Sequence, residues 1–262
     1  MELFEAIGSR RSIRYFKPYQ PVERWKVEMI FQAAHRSSRA VNASFIKSVA
    51  VERDSLTQEQ RDQLKTPTTT TDMDMAPLYI FTYADPLAPD GGPTRLKALY
   101  DRGAFTPALG WSHKFIDEVI GATILGPLVK DEPEARWISS VEAAQAVAHM
   151  LLVAVDLGLG VCCKSFMPEP AAELLKVPPD LHPLWLILVG YPAEDPTAGG
   201  QRPRPPLEQD YFWGDFETPF TTTDEVTKTL EERKLLQPGR EEAYPWRQDE
   251  VRFLARALGL PE

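Results

Sequence analysis

Apolar residues recur along this chain at two periods, and the switches between them mark out its elements. Leu3, Phe4 and Ile7 share one face at helical spacing, which predicts a short helix over 2–8. Val27, Ile30, Phe31 and Ala34 repeat that spacing and Pro21 suits a first turn, so a second helix is expected over 21–34. A polar stretch, HRSSRAVNAS, leads into a strand over 45–52. The compact apolar run from Leu78 to Tyr83, stopped by Asp85 and Pro86, reads as a buried strand. Between the two strands, residues 55–75 are polar and threonine-rich (TPTTTTDMDM) and read as a mobile loop.

Residues 86–138 alternate Gly/Pro-rich turns with helical patches such as WSHKFIDEVIGATILGPLV. Segment 140–157 is apolar on nearly every face, the pattern of a helix buried on all sides, and Gly158 suits a left-handed cap after it. A short helix over 168–176 and a central strand from Trp185 to Gly190 follow. The tail, 207–262, carries an aromatic patch (Tyr211, Phe212, Trp213, Phe216) and two expected helices, 223–236 and 247–258. The chain shows no internal repeat.

Composition narrows the classes of function. With 262 residues, 43% of them hydrophobic, the chain can bury a sizeable core. Its 29 basic against 38 acidic side chains leave a net charge of −9, which argues against nucleic acid as a partner. The two cysteines, Cys162 and Cys163, are neighbours and form no disulfide framework, which suits a reducing cytoplasm. The first residues lack the order of a signal peptide, and the apolar stretch Val147–Val155, broken by His149, is too short to cross a membrane. The four histidines are scattered and offer no metal-ligand spacing.

Against this acidic background two basic motifs stand out. SRRSIRYFKP places Arg10, Arg11, Arg14 and Lys17 around Ser12, and QRPRPP sets Arg202 and Arg204 on a proline-stiffened backbone. Guanidinium forks suit phosphate because they donate two hydrogen bonds at once. Either motif alone is equally the pattern of a solvated surface.

Four segments in order give these motifs a context. They are RRSIRYF, AAQAVAHMLLVAVDLGLG, PDLHPLWLILVGYPAEDP and RPRPPLE, spanning about residues 1–210. Together they resemble the nitroreductase superfamily. The resemblance implies an α+β fold with a central, mostly antiparallel sheet flanked by helices, in an intertwined homodimer. It divides the chain into an FMN-binding domain, 1–210, and an extension, 211–262, that wraps the partner subunit or, as the second reading, covers the substrate site. It implies one FMN at each subunit interface, with Arg10, Arg11, Ser12, Arg14, Arg202 and Arg204 around its phosphate, ribityl chain and ring edge. Ser37 or Ser38, with Asn42, would come from the partner, and Cys162, Cys163, Lys164 and Ser165 would lie along the flavin. It implies NADH or NADPH as donor, a nitroaromatic, quinone or similar flat acceptor, ping-pong exchange, and no catalytic side chain, because the cofactor carries the chemistry.

The chain departs from the pattern where relatives carry N-x-Q-P-W. Here Asn42 is followed by Ala43, Ser44, Phe45 and Ile46. VCCKSF is unusual too, and resembles the VGWVS stretch of the flavin-fragmenting enzyme that makes dimethylbenzimidazole. Three readings therefore stay open: a general NAD(P)H oxidoreductase, a specialised biosynthetic flavoenzyme such as a dehydrogenase or reductive dehalogenase, and a non-catalytic flavin-binding protein. The residues also leave open whether Tyr100, Arg102 and Trp111 form a substrate lid or an ordinary surface turn, whether Lys164 tunes the flavin or faces solvent, and whether Thr68–Thr71 contact an anion. His149 reads as a hydrogen-bonded core residue, and the cysteines as packing beside the flavin.

Overall fold

In the computed structural model, which describes residues 1–239 and 246–260, two apolar clusters occupy opposite faces of one four-stranded sheet. The strands are β1 (Ile46–Glu52), β2 (Leu78–Ala84), β3 (Gly160–Lys164) and β4 (His182–Gly190), in the order β1-β2-β4-β3, and every pairing is antiparallel. The two-residue period decides which side chain enters which cluster. Tyr79, Phe81, Tyr83, Leu186 and Leu188 fill one, while Leu78, Ile80, Ile187 and Val189 fill the other. Burial on both faces explains why β2 and β4 read as continuous apolar runs.

Helix α1 (Leu3–Ser9) and helix α2 (Arg24–His35) appear close to the expected bounds. Pro21 lies ahead of α2 rather than in its first turn. Leu3 and Ile7 are exposed, and α1 buries Ala6 and Gly8 instead. The stretch read as a mobile loop contains two helices, α3 (Gln58–Leu64) and α4 (Thr70–Met75). Thr57 and Gln60 close a reciprocal capping box at the start of α3, and Leu64, Met73 and Met75 anchor both helices in the core. Polar composition masked those few apolar anchors. In the middle segment, helix α5 (Gly92–Asp101) precedes a π-helical stretch, Ile116–Leu125.

The long helix runs from Glu132 to Asp156, starting eight residues before its expected bound, with the Asp131 side chain capping Glu134. Its end is a Schellman motif: the Gly158 amide donates to Val155, the Leu159 amide donates to Ala154, and Gly158 takes φ 74°. This helix is long and apolar enough to cross a bilayer, contrary to the shorter run read from sequence. Its buried residues, Ala135, Ser139, Ala143, Ala146, Val147, Met150 and Ala154, pack it as a core helix against α2 and the sheet. It is not enclosed on all sides within one chain, for Trp137 and Val141 are exposed. His149 is exposed too, its ring Nδ1 3.2 Å from the Ala33 carbonyl oxygen, and is no core residue here.

The tail contributes helices at Asp224–Glu232 and Arg247–Ala257. Lys234 pairs with Glu5 at 2.7 Å, and Gln237 Nε2 donates to Ser9 Oγ at 3.0 Å, so the tail docks on α1 of its own chain. Residues 240–245 and 261–262, which belong to the expected extension, lie outside the described residues. Gly8 permits the docking: a Cβ there would stand 2.0 Å from the Lys234 carbonyl oxygen. Gly8→Ala should therefore lift the tail and cost about 1–3 kcal/mol, the range for overpacking. A thermal melt equal to wild type would show that the backbone yields at no cost.

Candidate functional site

The basic motif at residues 10–17 is held as an extended ribbon beside the sheet. The Ile13 amide donates to Val161 at 3.0 Å and the Lys17 amide donates to Tyr191 at 2.9 Å. These bonds lay the ribbon across the start of β3 and the end of β4. Ile13 and Phe16 point into the core, Tyr15 packs partly buried against the same cluster, and Arg14 is exposed.

A cavity of about 730 Å³ opens where this ribbon meets the second basic motif. Arg10, Arg11 and Ser12 line it from one side, and Gln201, Arg202 and Arg204 from another. Ile7 and Gly8 of α1 form part of its wall. Leu235, Leu236, Gln237 and Gly239 of the tail complete the lining. The two motifs flagged for phosphate thus converge on one space.

The arginines divide by role. Arg11 is buried and saturated by the protein: its Nε donates to the Gly200 carbonyl at 3.0 Å, Nη1 to Gly8 at 2.5 Å, and Nη2 to Gln237 Oε1 at 3.0 Å. Its charge still faces the cavity, but its geometry belongs to the scaffold. Among the described residues, the side chains of Arg10, Arg14 and Arg204 pair with no carboxylate. Arg14 lies outside the cavity lining and donates through Nη1 to the Ser12 carbonyl at 3.1 Å. Arg10 and Arg204, with no carboxylate partner among the described residues, therefore leave positive charge at the cavity wall that an anion could balance.

The chain matches the Nitroreductase family over residues 7–191. It belongs to that family. Solved structures share its fold at low identity. A nitroreductase family protein from Streptococcus pneumoniae is 18% identical, with 80% of this chain and 98% of that one covered and a TM-score of 0.60. A protein from Exiguobacterium sibiricum assigned as a nitroreductase, solved in complex with FMN, is 16% identical, with coverage of 81% and 97% and a TM-score of 0.62. A Staphylococcus epidermidis protein assigned as an NAD(P)H:FMN oxidoreductase is 16% identical, with coverage of 81% and 95% and a TM-score of 0.63. No curated protein sequence gives a match.

Other residues singled out in this nitroreductase-family chain lie away from the cavity. The Ser37 hydroxyl donates to the Ala34 carbonyl at 2.9 Å, ending α2, while Ser38 and Asn42 are exposed. Asn42 and Val41 both take positive φ in a tight turn. Cys162 faces the core cluster containing Phe166, and Cys163 faces the opposite cluster. Burial raises the Cys162 thiol, and it pushes Cys163 to about 11, with Cys162 adding and Arg10 opposing. Burial thus favours the protonated thiol at both positions, the less nucleophilic form.

Lys164 neither faces solvent nor stands free. Its Nζ lies 2.5 Å from Asp72 Oδ2 and donates to the Thr68 carbonyl at 2.7 Å. Ser165 Oγ lies 3.1 Å from Thr66 Oγ1, so the exit of β3 is tied to the threonine-rich segment. Trp111 stacks on Phe105 with ring centroids 4.2 Å apart, and Tyr100 meets His113 edge-on at 5.2 Å. These contacts order the middle segment without bringing it to the cavity. The sequence reading missed Asp72 and Gln237. Asp72 had no distinguishing signal, since buried pairing is a tertiary property, and Gln237 sits in an unremarkable tail.

Proposed function

We propose that this chain is an FMN-dependent oxidoreductase that takes electrons from NADH or NADPH and passes them, by ping-pong turnover, to a flat acceptor such as a nitroaromatic or quinone. The observation that carries the reading is the convergence of Arg10 and Arg204, without carboxylate partners among the described residues, on one cavity of about 730 Å³. A phosphate monoester is the anion that such forked donors fit. Bound FMN would supply two-electron transfer, the chemistry for which the protein offers no reactive side chain of its own.

The chain's residues then have defined tasks. Arg10, Arg202 and Arg204 hold the phosphate, and Arg11 fixes the cavity wall through its bonds to Gly8, Gly200 and Gln237. The segment Cys162–Ser165, held rigid by the Lys164–Asp72 pair, would border the flavin. Ser37, Ser38 and Asn42 would reach it from a partner subunit. A homodimer is part of the proposal: the exposed side of the long helix, with Trp137 and Val141, gives a second chain apolar surface to cover. Exposed Tyr211, Trp213 and Phe216 of the tail suit the same partner.

The test is the visible spectrum of the purified protein, followed by anaerobic addition of NADH or NADPH. A yellow protein that releases FMN on denaturation and bleaches with a nicotinamide is the expected result. A colourless protein that takes up no added FMN would overturn the reading. FMN that neither nicotinamide reduces would replace the general oxidoreductase with a specialised enzyme using another reductant. Light scattering on the same sample should give a dimer mass, and a flavin-loaded monomer would contradict the shared site.

A further inference from the structure

The turn that joins β4 to the second basic motif carries a buried carboxylate. The Glu194 side chain is 1% exposed, and its Oε1 accepts the Arg14 amide at 2.5 Å and the Tyr15 amide at 3.0 Å. Two amide donors alone do not offset the desolvation of a carboxylate. The rest comes from Arg247 in the last helix, whose guanidinium meets Glu194 Oε2. Arg247 is itself held by Glu250 Oε2 at 2.6 Å, and Glu250 Oε1 accepts the Asp195 amide at 2.7 Å. One helix thus grips the turn at two consecutive residues.

That turn leads directly into the cavity. Ala198, Gly199 and Gly200 all take positive φ, and the Gly200 carbonyl accepts Arg11 Nε. Arg202 and Arg204 follow within four residues. On its other side Glu194 holds the ribbon that carries Arg10 and Arg11. Arg247 lies well beyond residue 191, where the family match ends.

We propose that Arg247 is a positioning residue for the anion site: from the last helix it locks Glu194, and through Glu194 it fixes both basic walls of the cavity in the shape that holds the cofactor's phosphate. The proposal rests on the flavin reading above. Among the described residues Arg247 bonds to Glu194 and Glu250 and to no cavity-lining side chain, so its effect is one of preorganisation.

The experiment compares wild type, Arg247→Met, Arg247→Lys and Arg252→Met by amide hydrogen exchange and FMN titration. Arg252 is on the same helix with an exposed side chain and serves as the charge control. Arg247→Met should speed exchange at the Arg14 and Tyr15 amides and weaken FMN binding about tenfold or more, since an unpaired buried carboxylate is costly. Arg247→Lys should recover part of both, and Arg252→Met should change neither. If Arg247→Met fails to fold, Glu250→Gln, which loosens Arg247 without removing it, should show the same changes to a smaller degree. Unchanged exchange at the two amides would overturn the proposal, as would faster exchange with unchanged FMN affinity. A wild-type protein that binds no FMN would overturn the flavin reading alone, and amide exchange would still decide whether Arg247 locks the ribbon.

Discussion

Replacing both Arg10 and Arg204 with alanine should leave a folded protein that loses FMN on a desalting column. A hydrogen bond from a charged donor contributes about 1.5–3 kcal/mol, so losing both should cost roughly 3–6 kcal/mol, or about two to four decades in affinity. The fold should survive, because neither side chain makes an ion pair with another described residue and Arg204 is exposed. The net charge of −9 works against the variant, since the remaining field repels a phosphate. Arg11→Ala should behave differently. It breaks bonds to Gly8, Gly200 and Gln237, so its melting temperature should fall along with its flavin content. Titration of apo-protein with FMN, followed by fluorescence quenching, checks both. A double variant with wild-type affinity would remove the cavity from the function.

Asp72→Ala should be the most destabilising single change near the exit of β3. The Lys164 and Asp72 side chains are only 15% and 10% exposed and lie 2.5 Å apart. Removing one partner strands the other charge away from water, which costs about 3–5 kcal/mol. The double variant Asp72→Ala with Lys164→Met should recover much of that loss, because it leaves no stranded charge away from water. Urea denaturation of the four proteins of this cycle measures the coupling. A single variant as stable as wild type would mean that water reaches the pair freely. A double variant no better than the single would mean that Asp72 matters for something other than Lys164.

What sequence revealed and what it hid follow from the range of the forces involved. β2 and β4 were legible because burial on both faces leaves a continuous apolar run. Arg10 and Arg204 were legible as basic motifs because clustered charge shows on an acidic chain, and the fold sets both on one cavity. The structural role of Arg11 was hidden, since its acceptors come from α1, the 198–200 turn and the tail. α3 and α4 were read as loop because threonines across 55–75 outnumber the three apolar anchors Leu64, Met73 and Met75, although the Thr57-x-x-Gln60 signature was present. Ser37, Ser38 and Asn42 lie outside the cavity of a single chain. The long helix was judged enclosed from its apolar faces, yet one chain covers only one side of it.

The docking of the tail on α1 and on the 194–200 turn also bears on how the protein is made. The wall that carries Arg10 leaves the ribosome well before Gln237 and Arg247, which follow it by more than two hundred residues. At about 5–20 residues per second, tens of seconds separate the two. The sheet can assemble in that interval, but the cavity acquires its last wall only when the tail has been released. A nascent chain stalled before residue 235 would carry a formed core and an open, weakly selective anion cleft. On the flavin reading, cofactor loading would then wait for the tail, and chains cut before residue 235 would remain colourless.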